Sequence, residues 1–376
     1  MKKIAVSLVL MLAAALLGGC WDARNIEDMD ICTAVVVDYK DDVYTFYVET
    51  INISSVKKVE TGSEAGQSTT VVRGAGESFA QARMCLDKAL NKPIYLGAVQ
   101  SLIMTEAMAD HGIEEYTYRV RELSDYRKTM DMIITPDLPM NVLSIKPENS
   151  VTVGFAIEDT LQNLLDQGAT FHMSLSDVLQ KLSAKNKCYL LSTLGIKEEQ
   201  IVLLGYTVFD GGRREGFIPY EQARGIVYMV LGGEKTKPTF LYVVKQEQAD
   251  YTLKTSLTGS KVTVEWDGNK AFFTIDLKFS SKLLYQSVNV PYSSGVERQI
   301  KTKLSYLLKE EVNQAIRTSL DYGCDYLYFS EPFRVKYPGV YEQADWAEIF
   351  ADAAFTVNVD VAFKDNEAYD YSGGKG

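Results

Sequence analysis

Histidine is almost missing from this 376-residue chain, which holds only His111 and His172, far apart in sequence. A histidine-based metal site or general base therefore has little to work with. His111 precedes a glycine, where an imidazole at a helix end reaches free carbonyls. Basic residues are also in deficit: 39 Lys and Arg stand against 50 Asp and Glu, a formal charge of −11. That balance excludes nucleic acid as a partner, since phosphate neutralisation needs a basic surface. Beyond Cys20 no apolar run approaches the roughly 20 residues needed to span a bilayer. Cys32, Cys85, Cys188 and Cys324 include no CxxC pair. Their wide spacing gives no disulfide framework, and apolar neighbours favour free, mostly buried thiols.

Catalytic signatures are missing as well. There is no HExxH and no GxSxG. Gly74-Ala75-Gly76 begins like a dinucleotide loop, but Phe79 stands where the third glycine belongs. Glu234 separates Gly233 from Lys235, which breaks a phosphate loop, and Asp28-Met29-Asp30 is too short for a calcium loop. Glu114-Glu115 and Glu310-Glu311 fall on helical segments and read as solvated faces. The sequence thus nominates no catalytic, metal or cofactor-binding residue, and a non-enzymatic protein is expected.

What is present begins at the leader. Lys2 and Lys3 precede an apolar run over 4–17, too short to span comfortably and ending in Leu17-Gly18-Gly19-Cys20. This resembles a lipobox, whose cysteine receives diacylglycerol and palmitate. A lipoprotein signal peptide over 1–19 and lipidation at Cys20 are expected. The remainder would be a water-soluble body held at a membrane by acyl chains, each buried methylene contributing roughly 0.8 kcal/mol.

The length predicts more than one domain, because single cores stop growing near roughly 250–300 residues. Residues 31–37 and 43–53 read as a hairpin around an Asp-rich turn, and 55–67 as a loop. Ser78 with Gln81 forms a capping box, and Pro93 closes that helix. A strand follows over 94–104; Thr105 caps a short helix closed by His111-Gly112. After a strand at 130–135, Pro136, Pro139 and Pro147 mark a domain edge. Leu161, Leu164 and Leu165 share one helix, and Leu175, Val178, Leu179 and Leu182 the next. Strands are expected at 201–209, 225–231 and 239–244, then a long hairpin about Asp267-Gly268-Asn269. Ser294 with Glu297 opens the longest helix, striped by Val296, Ile300, Leu304, Leu307, Leu308, Val312 and Ile316. Residues 355–363 alternate as a last strand. Because most strands come as hairpins, the fold class is α+β. The units are a lipidated leader (20–30), an N-terminal domain (31–147), a middle domain (148–248), a C-terminal domain with the long helix (249–364) and a disordered tail (365–376). Each domain is expected to be a largely antiparallel sheet with helices packed on it.

Four motif blocks carry a resemblance. They are Gly19-Cys20-Trp21-Asp22 with Arg24 and Ile26; Gly74 to Ala82 with Tyr95-Leu96-Gly97, Met104-Thr105-Glu106, Gly112 and Arg119; Leu204-Gly205-Tyr206-Thr207-Val208-Phe209 with Gly216 and Glu221-Gln222-Ala223-Arg224-Gly225; and Asp325 to Glu331 with Lys336-Tyr337-Pro338, Asp345-Trp346 and Phe350. In this order the chain resembles the Ger(x)C family of spore germination lipoproteins, the C subunits of GerA-type nutrient germinant receptors. Asn25 stands where the family usually has Glu, and Tyr328 and Ser330 where it usually has Gly. Trp346 and Phe350, one helical turn apart, are expected to pack together. Glu221 and Arg224, three apart, suggest an ion pair, structural or partner-binding.

The resemblance implies three domains on the outer face of the cytoplasmic (inner spore) membrane, lipid-anchored. It implies work with a membrane A subunit and a transporter-like B subunit, where the germinant chiefly binds, and no cofactor. The alternative class is an extracytoplasmic solute-binding lipoprotein that captures a small molecule itself.

Overall fold

The computed structural model describes residues 25–51, 69–123, 125–247, 249–288 and 293–364. The expected signal peptide, Cys20, the loop at 55–67 and the tail at 365–376 lie outside the described residues.

A nine-stranded sheet, sheet A, contains β1 (Asp30–Lys40), β2 (Val43–Ile51), β3 (Thr69–Gly76), β4 (Ile94–Tyr95), β5 (Ser101–Thr105), β6 (Asp131–Thr135), β7 (Cys188–Lys197), β8 (Gln200–Asp210) and β9 (Arg213–Pro219). Its order is β3-β2-β1-β5-β6-β7-β8-β9, with β4 beside β1. The centre, β1-β5-β6-β7, is parallel and both flanks are antiparallel. Sheet B is β10 (Thr239–Lys245), β11 (Asp250–Trp266), β12 (Ala271–Gln286) and β13 (Ala354–Phe363) in sequential order. Only its β12–β13 pair is parallel.

Eleven helices connect or cover these strands among the described residues. They are α1 (Phe79–Ala89), α2 (Glu106–His111), α3 (Glu114–Glu122), α4 (Pro139–Leu143), α5 (Val153–Asp166), α6 (Leu175–Ser183), α7 (Arg224–Val230), α8 (Ser294–Asp321), α9 (Ser330–Lys336), α10 (Pro338–Gln343) and α11 (Trp346–Ala351). The fold is therefore α+β, with sheets of mostly antiparallel pairing.

Strand pairing divides the chain differently from the expected boundaries. Sheet A crosses residue 147, because β6 pairs with β7. One of the prolines meant to mark an edge there instead starts a helix: Pro139 occupies the first turn of α4, where its missing N–H costs nothing. β10, expected in the middle domain, pairs with β11 of sheet B. The run at 225–231, expected as a strand, is α7 with Gly225 to Tyr228 all buried. A short apolar run buried on every side carries no periodicity to separate helix from strand.

Local signals elsewhere hold. Ser78 caps α1 by accepting from the Gln81 N–H, but the Gln81 side chain accepts from the Glu77 N–H rather than that of Ser78, so the expected box does not close. Thr105 caps α2, and Gly112 follows it at φ 122°. Asp41 and Asp42 both take positive φ in the first hairpin turn. Asp267 accepts from the Asn269 and Lys270 N–H groups at 2.8 Å in the second hairpin, which also lowers its pKa. The cap of α8 is Ser293 rather than Ser294, one residue upstream of the expected box. Its stripe Ile300, Leu304, Leu308, Val312 and Ile316 is buried against sheet B, whereas Leu307 is exposed. Each fully buried leucine there contributes roughly 1.5–3 kcal/mol.

Candidate functional site

Glu221 and Arg224 are not brought together. Residues Tyr220–Gln222 form a 3-10 turn, and the α-helix starts only at Arg224. The helical i, i+3 spacing that would face the two side chains is thus broken between them. Glu221 stays exposed, and among the described residues no ion pair joins it to Arg224.

Arg224 instead reaches α8. Gly225 allows this: a Cβ there would lie 2.1 Å from the Glu311 carbonyl oxygen, so α7 rests directly on the α8 backbone. The close approach places the Arg224 guanidinium 3.5 Å from Glu311 Oε1 and over the rings of Phe240 and Tyr242. The Tyr242 hydroxyl donates to Glu311 Oε2 and is itself 2.8 Å from the Tyr228 hydroxyl. Burial raises the Glu311 pKa, against the pull of Tyr242 and Arg224. Glu311 was expected on a solvated face with Glu310. Only Glu310 fits that reading, paired with Arg317 on the exposed side. The pair remains 37% and 28% exposed, so its ionic part is worth only about 1 kcal/mol.

The fourth motif block builds a drier joint. Asp325 is 2% exposed, and its carboxylate accepts four hydrogen bonds. The donors are the N–H groups of Phe329 (2.9 Å) and Ser330 (2.8 Å), Asn186 Nδ2 (3.2 Å) and Trp346 Nε1 (3.0 Å). Asn186 Nδ2 also donates to the Asp325 carbonyl and to Ser330 Oγ, and its Oδ1 accepts from the Cys188 N–H. Residues just ahead of β7 in sheet A are thereby tied to the segment after α8. Lys185 adds to the tie, donating to the carbonyls of Tyr341, Glu342 and Ala344 around the end of α10. Burial pushes the Asp325 pKa up to about 7, although the donors pull it down. Trp346 and Phe350 do stack, with ring centroids 6.1 Å apart.

Tyr328 sits at φ 63°, the left-handed region that favours glycine, with Lys181 Nζ 3.5 Å from its ring centroid. Glycine is what the family resemblance led one to expect there. Ser330, at the other such position, places its hydroxyl on Asn186.

Two further polar groups, Glu49 and the His172–Asp131 pair, were missed by sequence reasoning. Buried Glu49 accepts from the Val153 and Gly154 N–H groups at the start of α5 and from Thr33 Oγ1. His172 Nδ1 meets Asp131 at 2.6 Å, which raises the imidazole pKa. His111 bonds the Tyr44 hydroxyl and stacks on Tyr39 rather than meeting helix carbonyls. Cys32, Cys188 and Cys324 are free and buried, and Cys85 is free but exposed. Among the described residues no group of three or more His, Cys, Asp or Glu could hold a metal ion. No described helix is long and apolar enough to cross a membrane.

Comparison with known proteins agrees with this architecture. Residues 22–196 match the spore germination protein N-terminal domain, and residues 204–366 match the spore germination B3/GerAC-like C-terminal domain. The chain belongs to the Ger(x)C family of spore germination proteins. Spore germination protein KC of Bacillus subtilis (strain 168) is 20% identical over 380 residues, covering 91% of this chain and 90% of that protein. The crystal structure of the GerBC protein superposes with a TM-score of 0.52 at 14% identity, covering 90% of this chain and 99% of that one. The join between the two matched Ger(x)C segments falls at 196–204, inside the β7–β8 hairpin, so sheet A straddles it.

Proposed function

We propose that this Ger(x)C protein is the non-catalytic C subunit of a nutrient germinant receptor. In this reading a lipid on Cys20 holds it to the outer face of the cytoplasmic (inner spore) membrane. It acts there with a membrane A subunit and a transporter-like B subunit in sensing or relaying the germinant signal. The observation that carries the reading is the family match, which runs over nearly the whole chain from 22 to 366. The placement of the motif residues supports a body that transmits rather than transforms. Arg224, Gly225, Asp325 and Trp346 all hold one element against another. Anchoring concentrates the body near its partners in two dimensions, which raises the effective concentration without any new contact.

Replacing Cys20 with Ala tests this directly. The variant should keep the far-ultraviolet spectrum of the wild type, leave the membrane fraction, and slow nutrient-triggered germination of spores that carry it. Normal germination by an exported variant found only in the soluble fraction would overturn the reading.

A further inference from the structure

The α8 helix packs on one face of sheet B, and the side chains of the other face alternate out to solvent. On that open face Leu241 of β10 stands opposite Lys254 of β11, and Lys254 stands opposite Lys282 of β12. The next row is Val243, Thr252 and Tyr285. Leu241, Val243 and Tyr285 are each more than half exposed, and both lysines are exposed as well. Like charges directly across a strand pair destabilise it. Among the described residues neither lysine has an ion-pair partner, in a chain whose formal charge is −11. Leu241 and Val243 also lie on β10, an edge of the sheet, where exposed apolar residues invite pairing with another chain.

The chain leaves sheet B beside these lysines. Phe363, the last residue of β13, pairs with Ser281, and the Lys364 N–H donates to the Ser281 carbonyl at 3.0 Å. Lys282 is the next residue of β12. Beyond Lys364 the sequence runs Asp365-Asn366-Glu367-Ala368-Tyr369-Asp370-Tyr371, with three carboxylates, no lysine or arginine, and two tyrosines. Alternate residues of an extended chain share a side. Here that side would read Asp365, Glu367, Tyr369, Tyr371. From the β13 edge the open face presents Lys282 and Lys254 first and Leu241 and Val243 last, the same order. Seven extended residues reach about 23 Å, against roughly 14 Å for the three strand spacings from β13 to β10.

We propose that residues 365–371 form a strap across the open face of sheet B. Asp365 and Glu367 would meet Lys282 and Lys254, and Tyr369 and Tyr371 would cover Leu241 and Val243. The strap would relieve the lysine pair and shield the β10 edge from other chains. This goes beyond the receptor-subunit reading and does not depend on the lipid or on the other subunits.

Hydrogen exchange of the purified full chain, read by mass spectrometry against a synthetic peptide of residues 365–376, tests the proposal. At low salt the amides of 365–371 should exchange about tenfold more slowly in the protein than in the peptide. Lys254→Glu combined with Lys282→Glu should bring them to the peptide rate while the circular dichroism spectrum stays unchanged. Adding Asp365→Lys and Glu367→Lys to that variant should restore the protection, a rescue that a damaged fold would not give. Four outcomes would each overturn the proposal. They are peptide-like exchange in the wild type, protection unchanged in the lysine double variant, failure of the charge-swapped rescue, and protection of the face only when phosphatidylglycerol vesicles are added, which would assign it to a membrane.

Discussion

The two joints of the molecule use the same chemistry in different surroundings. At Arg224–Glu311 a cation meets a carboxylate that is about a quarter exposed, and water screens the pair. At Asp325 a carboxylate with almost no exposure is held only by neutral donors from Asn186, Trp346 and two backbone groups. A shared surface charge pair can be lost at little cost. A buried acceptor that gathers four donors cannot, because removing it strands each of them away from water. The contrast teaches that the charge-paired joint is the weaker one, and that the carboxylate of the stronger one meets no cation.

The comparison breaks most sharply at Asp325. Asp325→Ala should cost roughly 3–5 kcal/mol, read as a fall in the urea midpoint. The pH dependence of the intact joint should be nearly as large. A folded-state pKa of about 7, against an ordinary 3.8, means the folded protein holds this proton more tightly than the unfolded chain. The contribution is therefore fully present below about pH 4 and is lost as pH rises through 7, a change of about 4 kcal/mol. Asp325→Asn should flatten that slope in chemical denaturation between pH 5 and pH 8. If wild type and variant show parallel slopes, the carboxyl is not where the proton sits.

The Arg224 joint sharpens the contrast at lower cost. Arg224→Ala should lose about 1–2 kcal/mol, more than its ion pair alone, because the guanidinium also covers Phe240 and Tyr242. Glu221→Ala should change stability by less than about 0.5 kcal/mol, measured by the same urea titration. A Glu221→Ala effect as large as that of Arg224→Ala would restore the pairing that their spacing suggested.

What was legible in the sequence follows from how local each signal is. Ser78-Gln81, Thr105-Gly112 and Asp267-Gly268-Asn269 were readable because caps and turns are decided within a few residues. The amphipathic stripe of α8 was readable because its period is written in its own residues, although its cap is one position earlier. Sheet order was not. The pairing of β6 with β7 joins residues separated by α4, α5 and α6, and no periodicity announces it. The helix at Arg224–Val230 was hidden because it is buried on all sides and short. Of the candidate site, Arg224 was found but its partner was not. Glu311 looks like any second glutamate on a helix until Gly225 brings α7 against it. Asp325 stood in plain view inside a recognisable motif, yet its role depends on Asn186, which nothing in the sequence around residue 186 marks.

The Asp325 joint, added to the apolar core that β7, β8 and β9 share with sheet B, makes the two sheets one cooperative body, which is what the proposed relay would need. Equilibrium urea unfolding followed at once by far-ultraviolet circular dichroism and tryptophan fluorescence tests it most directly, since Trp266 and Trp346 both report from the sheet B half. The two curves should coincide for the wild type and separate for Asp325→Ala. Curves that already separate in the wild type would contradict the claim.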